Sequence, residues 1–180
     1  TLIHDDLPAM DNDDFRRGKP TVHKKFGEAA AILTRDALLT HALELVGSLG
    51  VPGLAKLVGQ AAGAKGVIWG QMLDIELTDS PLNPSPLGRG QGEGISKFLK
   101  IYELKTSRLF KVAILGPAYL KKTPATLKRQ LSKLALNFGI CFQIADDLQD
   151  AREVHRKQIP TLVKILGLQK TEQILQGRIS

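Results

Sequence analysis

Apolar residues in this chain recur at three- and four-residue steps and nowhere alternate, so its pattern builds helices and supplies no strand for a sheet. Between Phe26 and Leu49 one stripe is made by Ala29, Ile32, Leu33, Leu39, Ala42, Leu45 and Val46, and Gly50 and Pro52 stop it. The same reasoning predicts one helix from about Leu54 to Leu77. In it Ala61, Ala62 and Ala64, with Gly59, Gly63 and Gly66, would admit a close helix neighbour. Its polar end is Gly70-Gln71-Met72-Leu73-Asp74. Residues 80–94 hold three prolines and four glycines without an apolar period, and are expected to form an inserted surface loop. Helical patterning resumes from Ile95 to about Leu120 and again from Pro124 to Asp150, proline suiting a first helical turn. A short helix is expected over Pro160 to Leu166, stopped by Gly167, and another from near Thr171. The fold class is all-α, and with no internal repeat residues 1–180 are expected to form a single domain.

The bulk numbers narrow the function classes. The chain has 180 residues, 43% of them hydrophobic and only 5% aromatic, which suits an aliphatic core. The formal charge of +7 fits nucleic acid, an anionic membrane or a phosphorylated ligand equally well. Its Lys and Arg residues are scattered, however, and no aromatic side chains interleave with a basic stripe, so nucleic acid is not the expected partner. No apolar run approaches a membrane span, and stable membrane insertion is not expected. The lone Cys141, between Ile140 and Phe142, is read as a small core residue in a reducing, cytoplasmic compartment. Because the chain opens on Thr1 and reaches an acidic cluster four residues later, it is expected to lack an N-terminal part.

Two carboxylate clusters carry the chemistry. Asp146 and Asp150 are four apart and share a helix face, with Asp147 beside them and Gln143 one turn earlier. Three carboxylates at a helix C-terminus repel one another and oppose the helix dipole, a cost that a hard divalent cation such as magnesium offsets. In the first cluster, Asp5 and Asp6 precede Pro8, which ends the regular turn, so Asp11 must reach back from a turn. Arg16 and Arg17 follow, two guanidinium forks suited to phosphate oxygens. Either cluster alone is more often a solvated helix end. Together they lie about 140 residues apart, each joined to an apolar helix, with paired arginines after one and Gln143 before the other.

With those residues in place, the chain resembles the trans-isoprenyl diphosphate synthases of the bacterial farnesyl and plant geranylgeranyl type. The resemblance rests on Leu2 to Asp11, Arg16-Arg17-Gly18, Pro20-Thr21, Phe26-Gly27-Glu28 and Asp36-Ala37-Leu38. It continues through Gly70-Gln71 with Asp74, Lys105-Thr106, Phe142-Gln143 with Asp146, Asp147 and Asp150, and the segment from Pro160 to Gly167. It implies part of an antiparallel isoprenoid-synthase helix bundle, a cytoplasmic homodimer, and condensation of isopentenyl diphosphate with an allylic diphosphate to a product of about fifteen to twenty carbons. It further implies about three magnesium ions, with Asp5 and Asp11 holding two, Asp146 the third, and Asp6, Asp147, Asp150, Asp74 and Gln71 supporting them. Arg16 and Lys105 would bind the allylic diphosphate and Arg17 the isopentenyl diphosphate, while Thr106 and Gln143 would line the reacting centre. His4 and His23 are read as hydrogen-bonding neighbours.

The pattern departs from the family in two places. The Gly-Lys usual after the second cluster is replaced by a shortened segment in which Arg156 or Lys157 could substitute. The N-terminal basic region that binds isopentenyl diphosphate is absent from the sequence. These departures admit a second reading, a non-catalytic homologue that pairs with an active synthase. A class I terpene cyclase would share the bundle and the first cluster, but its second motif mixes other residue types, unlike Asp146-Asp147-Leu148-Gln149-Asp150.

Overall fold

A computed structural model describes residues 1–79, 91–121, 123–151 and 161–179. The expected substitutes Arg156 and Lys157, and most of the expected loop, lie outside these residues. The chain divides into two compact units, Thr1–Ala55 and Lys56–Ser180.

In the first unit, α1 (Leu2–Asp5) and α2 (Val22–Phe26) pack against α3 (Glu28–Ser48). Between α1 and α2, β1 (Phe15–Arg16) and β2 (Lys19–Pro20) pair antiparallel with Phe15 opposite Pro20 and Arg16 opposite Lys19. This hairpin was not foreseen, since two-residue strands are too short to alternate. Its turn residues Arg17 and Gly18 have φ of 52° and 73°, the positive values that a tight hairpin turn with the strands' twist requires. The long helix forms as expected, but of its residues only Ala31 is buried, and Ile32, Leu33 and Leu45 remain exposed. Its apolar residues occupy more than one side, so packing one side leaves others in solvent.

The second unit contains α5 (Val67–Asp79), α6 (Gln91–Tyr102), a π-helical turn (Glu103–Ser107), α7 (Arg108–Leu120), α8 (Ala125–Asp150), α9 (Leu162–Leu166) and α10 (Leu168–Ile179). α4 (Pro52–Ala62) spans the boundary of the two units. The helix expected from Leu54 to Leu77 is therefore two helices. At Gly66 an added Cβ would lie 2.0 Å from the Ala61 carbonyl oxygen, so the chain folds back on itself there in a way only glycine tolerates. Gln91 to Gly94 are helical rather than part of a loop.

The core of this unit is Phe98, Ile101, Tyr102, Ile140, Ile144, Leu148, Leu162 and Val163, drawn from α6, α8 and α9. α8 contributes Ile140, Ile144 and Leu148 at four-residue steps, one face of a 26-residue helix roughly 39 Å long. The π-turn is wedged between two glycines. An added Cβ at Gly70 on α5 would meet the Lys105 amide nitrogen at 2.6 Å, and one at Gly139 on α8 would meet Ser107 Cα at 2.4 Å. Those approaches bring the backbones of α5 and α8 onto the segment that carries Lys105 and Thr106.

Candidate diphosphate and metal site

In the first unit the turn after α1 closes on itself. The Asp11 amide donates to the Asp5 carbonyl at 2.9 Å, and the Asp13 amide to the Asp6 carbonyl at 3.3 Å. Asp11 thus reaches back to Asp5, as Pro8 requires. Asp5 and Asp11 are half-buried, whereas Asp6 is buried. Arg16 meets it with Nε donating to Oδ1 at 2.6 Å and Nη2 lying 2.5 Å from the same oxygen, with Asp13 Oδ2 at 3.6 Å. The hydrogen bond to Asp6 raises the Arg16 pKa and so favours the charged guanidinium. Asp6, grouped with the metal ligands by resemblance, here anchors the hairpin, and the arginine expected on a diphosphate is turned toward it. Arg17 sits exposed at the hairpin tip.

Thr21 and Lys24 tie the far side of the loop down. Thr21 Oγ1 donates to the Asp13 carbonyl at 2.7 Å and lies 3.1 Å from His23 Nδ1, while Lys24 Nζ pairs with Asp14 Oδ1 at 2.9 Å. His23 is buried, and burial followed by the Arg35 charge lowers the pKa of His4. Neither histidine meets the carboxylates in a ligand set.

In the second unit the π-turn presents two adjacent side chains to two helices. Lys105 Nζ donates to Asp74 Oδ2 on α5 at 2.6 Å. Thr106 Oγ1 donates to Gln143 Oε1 on α8 at 2.8 Å. Gln71, one turn before Asp74, is buried. At the end of α8, Asp146 is exposed, Asp150 half-buried and Asp147 buried. Asp147 accepts hydrogen bonds from the Tyr102 hydroxyl at Oδ2 and from Gln143 Nε2, 3.4 Å away, at Oδ1. Burial pushes its carboxyl up to about 6, with the Tyr102 and Gln143 donors pulling the other way. Tyr102 is shifted upward too, by burial and then by the Asp147 charge.

Tyr102 is the site neighbour that sequence reasoning missed, since nothing in its spacing links it to a partner 45 residues away. The burial of Asp147 did carry a signal. Ile140, Ile144, Asp147 and Leu148 lie at i, i+4, i+7 and i+8, so this aspartate falls on the core stripe of α8.

Among the described residues no three His, Cys, Asp or Glu side chains converge as a metal cage. Magnesium needs none, because it is usually held by one or two carboxylates with substrate phosphate oxygens and water completing its shell. The paired carboxylates Asp5 with Asp11 and Asp146 with Asp150 fit such an ion in donor type.

The polyprenyl synthetase family model matches residues 1–159. Over 165 residues the chain is 38% identical to a farnesyl diphosphate synthase of Geobacillus stearothermophilus, covering 87% of this chain and 52% of that protein. It is 35% identical to a geranylgeranyl diphosphate synthase of Cyanophora paradoxa, over 94% of this chain and 56% of the relative. The structure of a Helicobacter pylori geranyltransferase complexed with magnesium and isoprenyl diphosphate superposes with a TM-score of 0.82 at 30% identity, covering 98% of this chain and 60% of that one. The chain thus spans about half to three-fifths of the length of these three relatives. With a family model matched over most of its residues and an all-helical fold shared with solved members, this chain belongs to the polyprenyl synthetase family.

Proposed function

We propose that the chain forms the magnesium-binding, diphosphate-handling part of a prenyltransferase that condenses isopentenyl diphosphate with an allylic diphosphate to a product of fifteen to twenty carbons. The observation that carries this reading is the π-turn, which presents a cation, Lys105 beside Asp74, next to a hydroxyl, Thr106 beside Gln143. A cation next to neutral oxygen atoms suits a reaction in which an anion departs and a carbocation is left.

In the proposed reaction the bond from the allylic carbon to the diphosphate oxygen breaks, and the electron pair leaves with the diphosphate. Lys105 neutralises part of the charge gathered on the departing group. The oxygens of Thr106 and Gln143 face the allylic cation, which the double bond of isopentenyl diphosphate attacks to form the new carbon–carbon bond. Loss of a proton to the departed diphosphate restores a double bond and closes the cycle. Magnesium, bound through Asp5 and Asp11 and through Asp146 with Asp150, would supply charge stabilisation for the diphosphate oxygens. Asp74 holds Lys105 in place, and Gln71 would support the metal ions. Arg17, at the hairpin tip, is assigned to the isopentenyl diphosphate, and Arg16 acts on the allylic diphosphate while braced by Asp6.

The protein is further proposed to be cytoplasmic and a homodimer. No helix of the described residues is long and apolar enough to cross a membrane. An exposed apolar row on α8, formed by Leu127, Leu134, Phe138 and Phe142, supports an apolar partner surface.

The test is turnover by the protein carrying this chain, supplied with magnesium, isopentenyl diphosphate and labelled geranyl diphosphate. We expect longer prenyl products, and Asp5→Asn or Asp146→Asn to lower their rate by about a hundredfold or more. An absence of product from the unaltered protein, under conditions where diphosphate binds with magnesium, would overturn the enzyme reading.

A further inference from the structure

We propose that Tyr102 is a positioning residue whose hydroxyl, acting through Asp147, fixes which way round the Gln143 side-chain amide sits and therefore which way the Thr106 hydroxyl points. The inference rests on the prenyl-transfer reading only for its effect on turnover. The order of the hydrogen bonds follows from the chemistry of the groups themselves.

An ionised carboxylate only accepts hydrogen bonds, and a phenol can both give and receive. The Leu162 amide donates to the Tyr102 oxygen at 3.3 Å, which turns the phenolic proton toward Asp147 Oδ2. The carboxylate is thereby pinned about its last torsion, with Oδ1 facing Gln143. Only the nitrogen end of the Gln143 amide can face that oxygen, so its carbonyl end faces Thr106, 2.8 Å away. Thr106 must give its proton to that carbonyl. It then shows lone pairs, rather than a proton, on its remaining side.

That polarity suits a cation and opposes an anion. Were the amide reversed, Nε2 would donate to Thr106, whose proton would turn outward toward the developing positive charge. Tyr102 therefore sets the sign of a partial charge at the π-turn without reaching the reacting atoms. Its ring is held separately by an edge-on contact with Phe98 at 6.2 Å, so removing the hydroxyl leaves the packing in place. Without that hydroxyl the carboxylate can rotate, and the Gln143 amide loses its fixed acceptor.

The experiment is nuclear magnetic resonance of the full chain with labelled glutamine side chains, combined with kinetics. In the unaltered chain the Gln143 amide protons should show cross-relaxation with the Asp147 β protons and not with the Thr106 methyl group. In Tyr102→Phe the two amide protons should lose their separate, dispersed signals. Turnover by the protein carrying this change should fall about tenfold, with KM for both diphosphates within about twofold. The proposal is overturned by amide protons lying against the Thr106 methyl group, by Gln143 signals unchanged in folded Tyr102→Phe, or by a raised KM at constant kcat. If Tyr102→Phe does not fold, the orientation measured in the unaltered chain decides. If the amide behaves as stated but the unaltered protein makes no prenyl product, the transferase reading fails and the positioning role stands.

Discussion

Each acidic cluster contains one buried carboxylate, Asp6 or Asp147, and each of these is held by a single dominant donor, Arg16 or Tyr102. Arg16→Ala would leave Asp6 as a buried charge with its principal partner gone. We expect a loss of about 2–3 kcal/mol in unfolding free energy, and little recovery in Arg16→Lys, which cannot reproduce the guanidinium fork. Denaturant melts of the two variants would check this. Asp147 works in the opposite sense. With its folded pKa raised to about 6 by burial, the native state binds a proton more tightly than the unfolded chain does. Stability therefore falls as pH rises from about 4 to about 6 in magnesium-free solution, by roughly 2–3 kcal/mol at most. Asp147→Asn should remove that part of the slope, seen as urea midpoints that change less across the window than those of the unaltered chain. Both clusters were legible as carboxylate spacing. Which member of each would be buried depended on helix phase, and on an arginine ten residues away in one case and a tyrosine 45 away in the other.

At the scale of elements, the π-turn between α6 and α7 is fixed by the absence of side chains opposite it. Gly70→Ala and Gly139→Ala each force a Cβ into backbone, and should cost about 1–3 kcal/mol while lowering turnover through Lys105 and Thr106. Gly59→Ala is the control. Its added Cβ meets nothing within 4 Å in the middle of α4, and the change should raise stability by about 0.5–1 kcal/mol. Thermal unfolding of the three variants distinguishes close approach from mere helix propensity. The helical periods gave α3 and α8 to within a few residues, because long apolar stripes are robust to small errors of phase, and ran α6, the π-turn and α7 together as one helix. They did not give the break at Gly63 to Gly66 or the π-turn. A glycine packed against another backbone has the same appearance in a sequence as a glycine that turns the chain, and a π-turn changes the helical period by less than a residue.

For the whole molecule, the apolar row on α8 is the feature with the widest reach. Leu134 is 58% exposed in its middle, whereas Phe138 and Phe142 each make a ring contact with Phe110. If the row meets a second copy, Leu134→Glu should shift the protein toward monomer in sedimentation velocity and leave the helical circular dichroism unchanged. An unchanged sedimentation coefficient would count against that surface. The family was readable from motifs and the all-α class from helical periods, since both depend on local order along the chain. Partner surfaces were not, because an apolar stripe looks the same whether the chain or a neighbour covers it.

The π-turn also has a consequence for how this gene can change. A π-turn is a helix carrying one residue more than its register allows. Deleting a single codon between Glu103 and Ser107 would let α6 and α7 run on as one regular helix, with more conventional hydrogen bonds than before. The rest of α7 would keep its phase against α6, because the wide turn is what absorbs the extra residue, and only the turn itself would be rebuilt. Such a lineage would keep its aspartates and its helices while losing the placement of Lys105 and Thr106 beside Asp74 and Gln143.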